Sequence, residues 1–245
     1  MRVVEASGHP GGQHNAAEHD DTKQAQFGPD LIDPAADAGG HRFGSRLRDT
    51  LAARHASQLA HQEDERLADA QVVHSARKTG GKQAVNFLGG ELGDDWMLIR
   101  GYQNSSGPIG QLLVGNHGVV AMTSLHLDAT VHCHGDKWRA ERHGQKGQTM
   151  GEFHIVDRDG RSPGTELNQA ADALEQFLRS SEVHIKVQRV VLLNHPRSQL
   201  EDNRRASVQI FASHYDLTDW LKRLPKVLDR AGRRQIERLI TRHEQ

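Results

Sequence analysis

Along this 245-residue chain the spacing of apolar positions changes character more than once. Residues 1–44 are rich in Gly, His, Pro and Ala and show no recurring apolar face, which predicts a disordered tail outside the fold. From Ser45 to Arg77 there is neither Gly nor Pro, and Leu47, Leu51, Leu59, Leu67, Val72 and Val73 form a loose stripe among charges. That stretch predicts a long, partly exposed helix or helical pair, with Ser45 as N-cap and Thr79-Gly80-Gly81 as its end. A short helix follows over Lys82 to Leu88, with Ala84, Val85 and Leu88 inward, and Gly89-Gly90 is read as a turn.

Next the period becomes that of strands. Trp96 to Ile99, Ile109 to Val114, Val119 to Leu127 and Thr130 to His134 read as strands, with tight-turn chemistry at Gly115 to Gly118 and at Gly135-Asp136. Ser162 and Pro163 have the chemistry of an N-cap and first helical residue. In the helix they open, Leu167, Ala170, Ala171, Leu174, Phe177 and Leu178 recur at helical spacing, while Glu175 and Gln176 read as exposed. Ile185 to Leu193 is a buried-looking strand and Val208 to Ala212 another, and helices around Asp216 to Arg223 and Lys226 to Arg242 close the chain. This order predicts an α/β fold, a mixed central β-sheet flanked by helices, preceded by a long helix and a disordered tail.

Composition narrows the class. The hydrophobic share is 36% and the aromatics are 3 Trp, 2 Tyr and 6 Phe, so the core must rest on Leu, Val, Ile and Ala, with Trp96 and Trp138 packed on the sheet. One cysteine, Cys133, excludes an intramolecular disulfide framework and reads as a small core residue. No apolar run approaches the roughly 20 residues needed to span a bilayer, and the first residues lack a secretory pattern. A cytoplasmic protein without a membrane partner is therefore expected. The formal net charge is −1, but residues 1–45 hold three basic against seven acidic residues, leaving the remainder slightly basic.

Several motifs occur in one order: Trp96-Met-Leu-Ile-Arg-Gly-Tyr-Gln-Asn, then Pro108-Ile-Gly-Gln-Leu-Leu-Val-Gly-Asn-His-Gly-Val-Val, then Val131-His-Cys-His-Gly-Asp-Lys-Trp138, then Asp159-Gly-Arg-Ser-Pro163. Together they resemble the nuclease-related domain (NERD) family, a branch of the PD-(D/E)XK nuclease fold, over roughly residues 79 to 195. The resemblance implies a restriction-endonuclease-like core. Taken with the pattern above, the chain divides into a tail (1–44), a helical extension (45–78), a nuclease-related domain (79–215) and C-terminal basic helices (216–245). The resemblance also implies Mg²⁺-assisted phosphodiester hydrolysis, in which an Asp and a Glu hold the hard cation and a Lys supports the attacking water.

The family's key positions are altered here. The Asp position holds Gly110, the Glu position Thr123 and the Lys position Leu125, while a helical Glu falls on Lys82 and a Gln on Glu166. With no carboxylate at the first two, the resemblance implies a catalytically degenerate nuclease with no catalytic residues, no metal site and no cofactor. Mg²⁺ enters only under an alternative, an active nuclease whose carboxylates have moved to Asp128, Glu91, Asp94 or Asp95. A zinc site from His126, His132 and His134 is the weaker metal reading, because 17 His are scattered through the chain.

Basic residues supply the candidate nucleic-acid contacts. Lys137, Arg139, Arg142 and Lys146 form one cluster, and Arg230, Arg233, Arg234 and Arg238 lie along the last helix, where residues 222–242 hold eight basic against two acidic residues. Such a run fits phosphates better than base edges, and the few aromatics give no stacking platform. A further alternative is a scaffold that self-associates or binds a protein partner through residues 45–77.

Overall fold

The computed structural model describes residues 1–5, 41–144, 146 and 148–243, with the backbone alone for 41–53 and 243. The elements run β1 (Arg2–Glu5), α1 (His41–Glu91), β2 (Trp96–Asn104), β3 (Gly107–Gly115), β4 (Gly118–Leu125), β5 (Ala129–His134), β6 (Lys137–His143) and β7 (Thr149–His154). They continue with α2 (Pro163–Ser180), β8 (Val187–Leu193), β9 (Gln199–Asp202), β10 (Gln209–Phe211), α3 (His214–Arg223) and α4 (Arg230–His243). The chain divides into two compact units, Met1–Gly8 with Asp64–Gln245, and His9–Glu63. Among the described residues, the first holds every strand, α1 from Asp64 onward and helices α2 to α4. The described part of the second is helical.

The central sheet has the order β1-β2-β3-β4-β8-β10. Its middle is the antiparallel meander β2-β3-β4, and β8 joins β4 in parallel after the chain has passed through α2. Alternation along each strand divides the core in two. Met97, Ile99, Leu112, Val114, Val119, Ala121 and Leu125 share one apolar cluster with α2 and with Ile236 and Ile240 of α4. Their neighbours Leu98, Leu113, Val120, Met122, Val190 and Leu192 share another with Ala84 and Leu88 of α1 and Leu217 and Leu221 of α3. A sheet covered on both faces needs continuous apolar runs, which is why Val190 to Leu193 is unbroken.

The mixed sheet flanked by helices is as expected, and so is the start of α2. Ser162 Oγ accepts the Thr165 N–H at 3.1 Å, and Pro163 stands where its missing N–H removes nothing. Trp96, Trp138 and Cys133 are buried. Burial first, and then Asp136 and Asp202, push the Cys133 thiol up to about 12, so it is a protonated core group at neutral pH.

Four expectations are corrected. Residues 2–5 are not tail: β1 pairs in parallel with the edge of β2, and residues 41–44 are helical, while 6–40 lie outside the described residues. Helix α1 runs through Gly80-Gly81 and Gly89-Gly90 to Glu91. At Gly80 the helix presses so closely on β4 that a Cβ there would lie 2.6 Å from Ser124 O, so glycine marks contact rather than termination. The strand over Thr130 to His134 leaves the central sheet and joins a second one, β7-β6-β5-β9. Finally, Glu175 accepts the Val187 N–H at 2.8 Å and pairs with Arg189 at 3.0 Å, fastening α2 to β8.

Residues 45–77 lie inside α1. Its described side chains from Arg54 to Ala68 are exposed, Leu59 and Leu67 among them. Among the described residues no helix is long and apolar enough to cross a membrane.

Candidate functional site

The register of β3 on β4 sets Gln111 opposite Met122, which brings Gly110 beside Thr123. A Cβ on Gly110 would stand 3.9 Å from Thr123 Oγ1 and 3.5 Å from Met122 O, which is ordinary contact. The missing side chain therefore leaves usable space on the strand. Above it, His74, Lys78 and Lys82 recur every fourth residue along α1 and share one side of the helix with Arg77 and Gly81. Glu166 reaches in from the first turn of α2, and Arg100 and Glu5 come from the paired strands β2 and β1. These residues line one cleft of about 650 Å³.

Its electrostatics are cationic. Four basic side chains, Arg77, Lys78, Lys82 and Arg100, face two acids, Glu5 and Glu166. Both acids are matched by arginines: Arg100 Nη1 donates to Glu5 Oε1 at 2.9 Å, and Arg77 Nη2 lies 2.6 Å from Glu166 Oε2. Lys78 and Lys82 have no partner among the described residues. The Arg77–Glu166 contact is an ion pair without hydrogen-bond alignment, so Arg77 Nε and Nη2 and Glu166 Oε2 are all buried without a hydrogen bond. On the opposite face of β4, Ser124 Oγ donates to Gln111 Oε1 at 2.9 Å beneath Gly81, which holds the floor rigid.

Four of the five positions singled out by the family resemblance, Lys82, Gly110, Thr123 and Glu166, line this cleft. Leu125 does not; it is fully buried in the core. The side chains missed by sequence reasoning include Glu5, His74, Arg77, Lys78 and Arg100. A four-residue recurrence of basic groups ending at Lys82 was the available signal, hidden by the assumed helix break at Gly80.

None of the eight basic residues selected from sequence lines the cleft. Lys137, Arg139 and Arg142 are exposed on β6, Lys146 is exposed beyond it, and Arg139 is bound to Glu152 at 3.3 Å. Arg142 lies over the Phe153 ring at 4.7 Å. On α4, Arg233 donates to Glu237 at 2.7 Å and to Asp94 O at 3.0 Å, while Arg230, Arg234 and Arg238 form an exposed row away from Ile236 and Ile240.

The alternative metal groups do not assemble. His126, His132 and His134 fail to converge, because β4 neighbours β8 rather than β5; His132 instead faces Glu141 at 3.1 Å. Among the described residues no group of three or more His, Cys, Asp or Glu is placed to hold a metal ion. The carboxylates considered for relocation are elsewhere: Asp94 meets the Met1 ammonium at 3.2 Å, Asp95 accepts from Asn116 at 3.2 Å, and Glu91 lies 3.9 Å from Lys222.

Asp128 is the hub of a separate cluster. It pairs with Arg197, with His143 at 3.4 Å and with His195 at 3.8 Å, and the His126 ring lies 4.6 Å from that of His195. Burial pushes the His195 imidazole below the ordinary histidine range; Asp128 opposes this, and His126, Arg197 and His143 reinforce it. Unfolded His195 takes its proton near pH ~6.5, folded His195 only below that, so the unfolded chain binds more protons in between. Stability is therefore expected to fall as pH drops below about 6.5. Urea unfolding across that range checks it, and His195→Gln should flatten the dependence.

Comparison with protein-family models, with curated proteins and with solved structures returns no match to this chain.

Proposed function

We propose that this chain is a catalytically degenerate nuclease-related domain protein of the cytoplasm, which associates with nucleic acid through phosphate contacts and does not cleave it. One observation carries this: positions 82, 110, 123 and 166, drawn from a helix, two strands and a second helix, surround a single cleft. The resemblance would place a metal and its helpers there. The architecture supports it too, since a mixed central sheet flanked by helices is what the resemblance implies.

At the positions where Mg²⁺ would find carboxylate oxygens, the strands offer a glycine and a neutral hydroxyl. The cleft instead presents fixed cations, which suit the monoanion of a phosphodiester. The row Arg230, Arg234 and Arg238 supplies further phosphate contacts that add affinity without sequence discrimination.

A second reading, an active Mg²⁺-dependent phosphodiesterase with moved carboxylates, is favoured by one fact: Glu5 and Glu166 both line the cleft. Each is neutralised by an arginine, which removes the charge a metal needs. Incubation of the full chain with labelled single- and double-stranded DNA and RNA, with Mg²⁺ or Mn²⁺, separates the two. No cleavage is expected, and binding should weaken with a log–log salt slope of about −0.7 per phosphate engaged on a single strand. Cleavage abolished by Glu5→Gln or Glu166→Gln would establish the second reading. Binding that ignores salt would refute the phosphate contact.

A further inference from the structure

We infer that Arg77 is the resident cation of the cleft and Glu166 its exchangeable partner, so that a polynucleotide phosphodiester enters by displacing the Glu166 carboxylate, without a divalent metal. This rests on the nucleic-acid reading above and assigns the group that does the holding.

The atoms at issue are Arg77 Nε and Nη2, the forked edge of the guanidinium that matches two oxygens of a carboxylate or phosphate. In this structure that edge is shut off from solvent and forms no hydrogen bond, although Glu166 Oε2 lies 2.6 Å from Nη2. Charge is balanced, but Arg77 Nε and Nη2 and Glu166 Oε2 lack an aligned hydrogen bond. A buried guanidinium edge in that condition is a poor end state, since buried donors normally find acceptors. Two non-bridging phosphate oxygens can align with both N–H groups where Glu166 does not.

The surroundings fit the exchange. Gly110 leaves strand β3 without a side chain beside Thr123, whose hydroxyl can donate to a phosphate oxygen. Lys78 and Lys82, one turn apart and unpartnered among the described residues, can meet the adjoining phosphates. Once displaced, Glu166 remains in the first turn of α2, where the helix dipole favours its negative charge. Glu166 thus holds Arg77 in place when the cleft is empty and competes with the ligand for it.

The test is fluorescence anisotropy of a fluorescein-labelled single-stranded oligodeoxynucleotide with the full chain, in EDTA and in Mg²⁺. Binding is expected in EDTA, and Mg²⁺ should leave it unchanged or weaken it as a competing counterion. Glu166→Gln, which removes the competing charge, should tighten binding about five- to tenfold, the net worth of one ordinary hydrogen bond. Arg77→Gln, which keeps a donor for Glu166, should weaken it about tenfold or more. Glu166→Gln that binds equally or more weakly overturns the exchange, and this variant decides the matter if Arg77→Gln does not fold. A requirement for Mg²⁺ also overturns it. Orthophosphate displacing the oligonucleotide at matched phosphate concentration would assign the cleft to free phosphate and refute the polynucleotide ligand. If wild-type protein binds the oligonucleotide while neither variant changes affinity, the exchange fails and the nucleic-acid reading stands; if wild-type protein binds none, both fail.

Discussion

Gly80→Ala is expected to destabilise the protein by about 1–3 kcal/mol, the usual effect of forcing an extra methyl into a packed contact. The direction is opposite to helix propensity, which favours Ala over Gly by about 1 kcal/mol in a helix interior. The reason lies in what a Cβ would meet: Ser124 O at 2.6 Å, Ser124 C at 2.8 Å and His126 N at 2.9 Å, all backbone of the neighbouring strand and its exit. Backbone cannot rotate away as a side chain can. Moving α1 outward would strain two bonds that fix it there, His126 N–H to Ala76 O at 3.0 Å and Asn194 Nδ2 to Gly80 O at 2.8 Å. Gly90→Ala is the control, because nothing lies within 4 Å of a Cβ at that position. It should be neutral or stabilising by up to about 1 kcal/mol. Urea midpoints at unchanged m-value read both. If the two substitutions move stability the same way, α1 does not approach β4 as described.

Arg77→Met is expected to cost about 3 kcal/mol, near the lower end for removing one member of a buried ion pair. Glu166 is only 6% exposed, so losing Arg77 leaves a carboxylate in the cleft wall without a counter-charge. The lower end applies because the Arg77 side chain is itself 23% exposed, which lets water reach part of the gap. The double variant Arg77→Met/Glu166→Leu should return to within about 1 kcal/mol of wild type, since replacing both charges by apolar groups removes the desolvation problem along with the pair. A double-mutant cycle measures this directly. A single-variant effect within the roughly 0.5 kcal/mol typical of surface changes would show that the pair is not buried in solution.

Much of the fold was legible locally. The apolar recurrence from Leu167 to Leu178 has one low-energy arrangement, a helix with that stripe on the sheet, and Ser162-Pro163 set its start. The strands β2, β3, β4 and β8 were legible because a sheet covered on both faces demands runs such as Leu112-Leu113-Val114. Less visible were β6 and β7. In Lys137-Trp-Arg-Ala-Glu-Arg-His143 only Trp138 and Ala140 are buried, and the charges between them disguise the alternation. Strand β1 is four residues long, too short to establish a period, and exists because the edge of β2 offers it partners. The glycines of α1 misled for a related reason: a Gly that ends a helix and a Gly that lets a helix touch a strand are the same letter.

The cleft was half legible. Positions 82, 110, 123 and 166 could be picked out from motifs, but nothing in their spacing says that they meet. The basic residues that were conspicuous in sequence, Arg139 and Arg233 among them, are partly matched by nearby acids, whereas Arg77, scarcely noticeable, lines the cleft.

Local chemistry, then, determined the helices and core strands, the absence of carboxylates at positions 110 and 123, and the small buried role of Cys133, because each follows from side chains and their immediate period. Tertiary structure alone decided that α1 continues past Gly80, that β5 deserts the central sheet, and that six elements line the cleft holding Arg77 and Glu166. Those outcomes depend on strand pairing and helix docking between residues far apart in the chain, where the energy comes from neighbours that no local window contains.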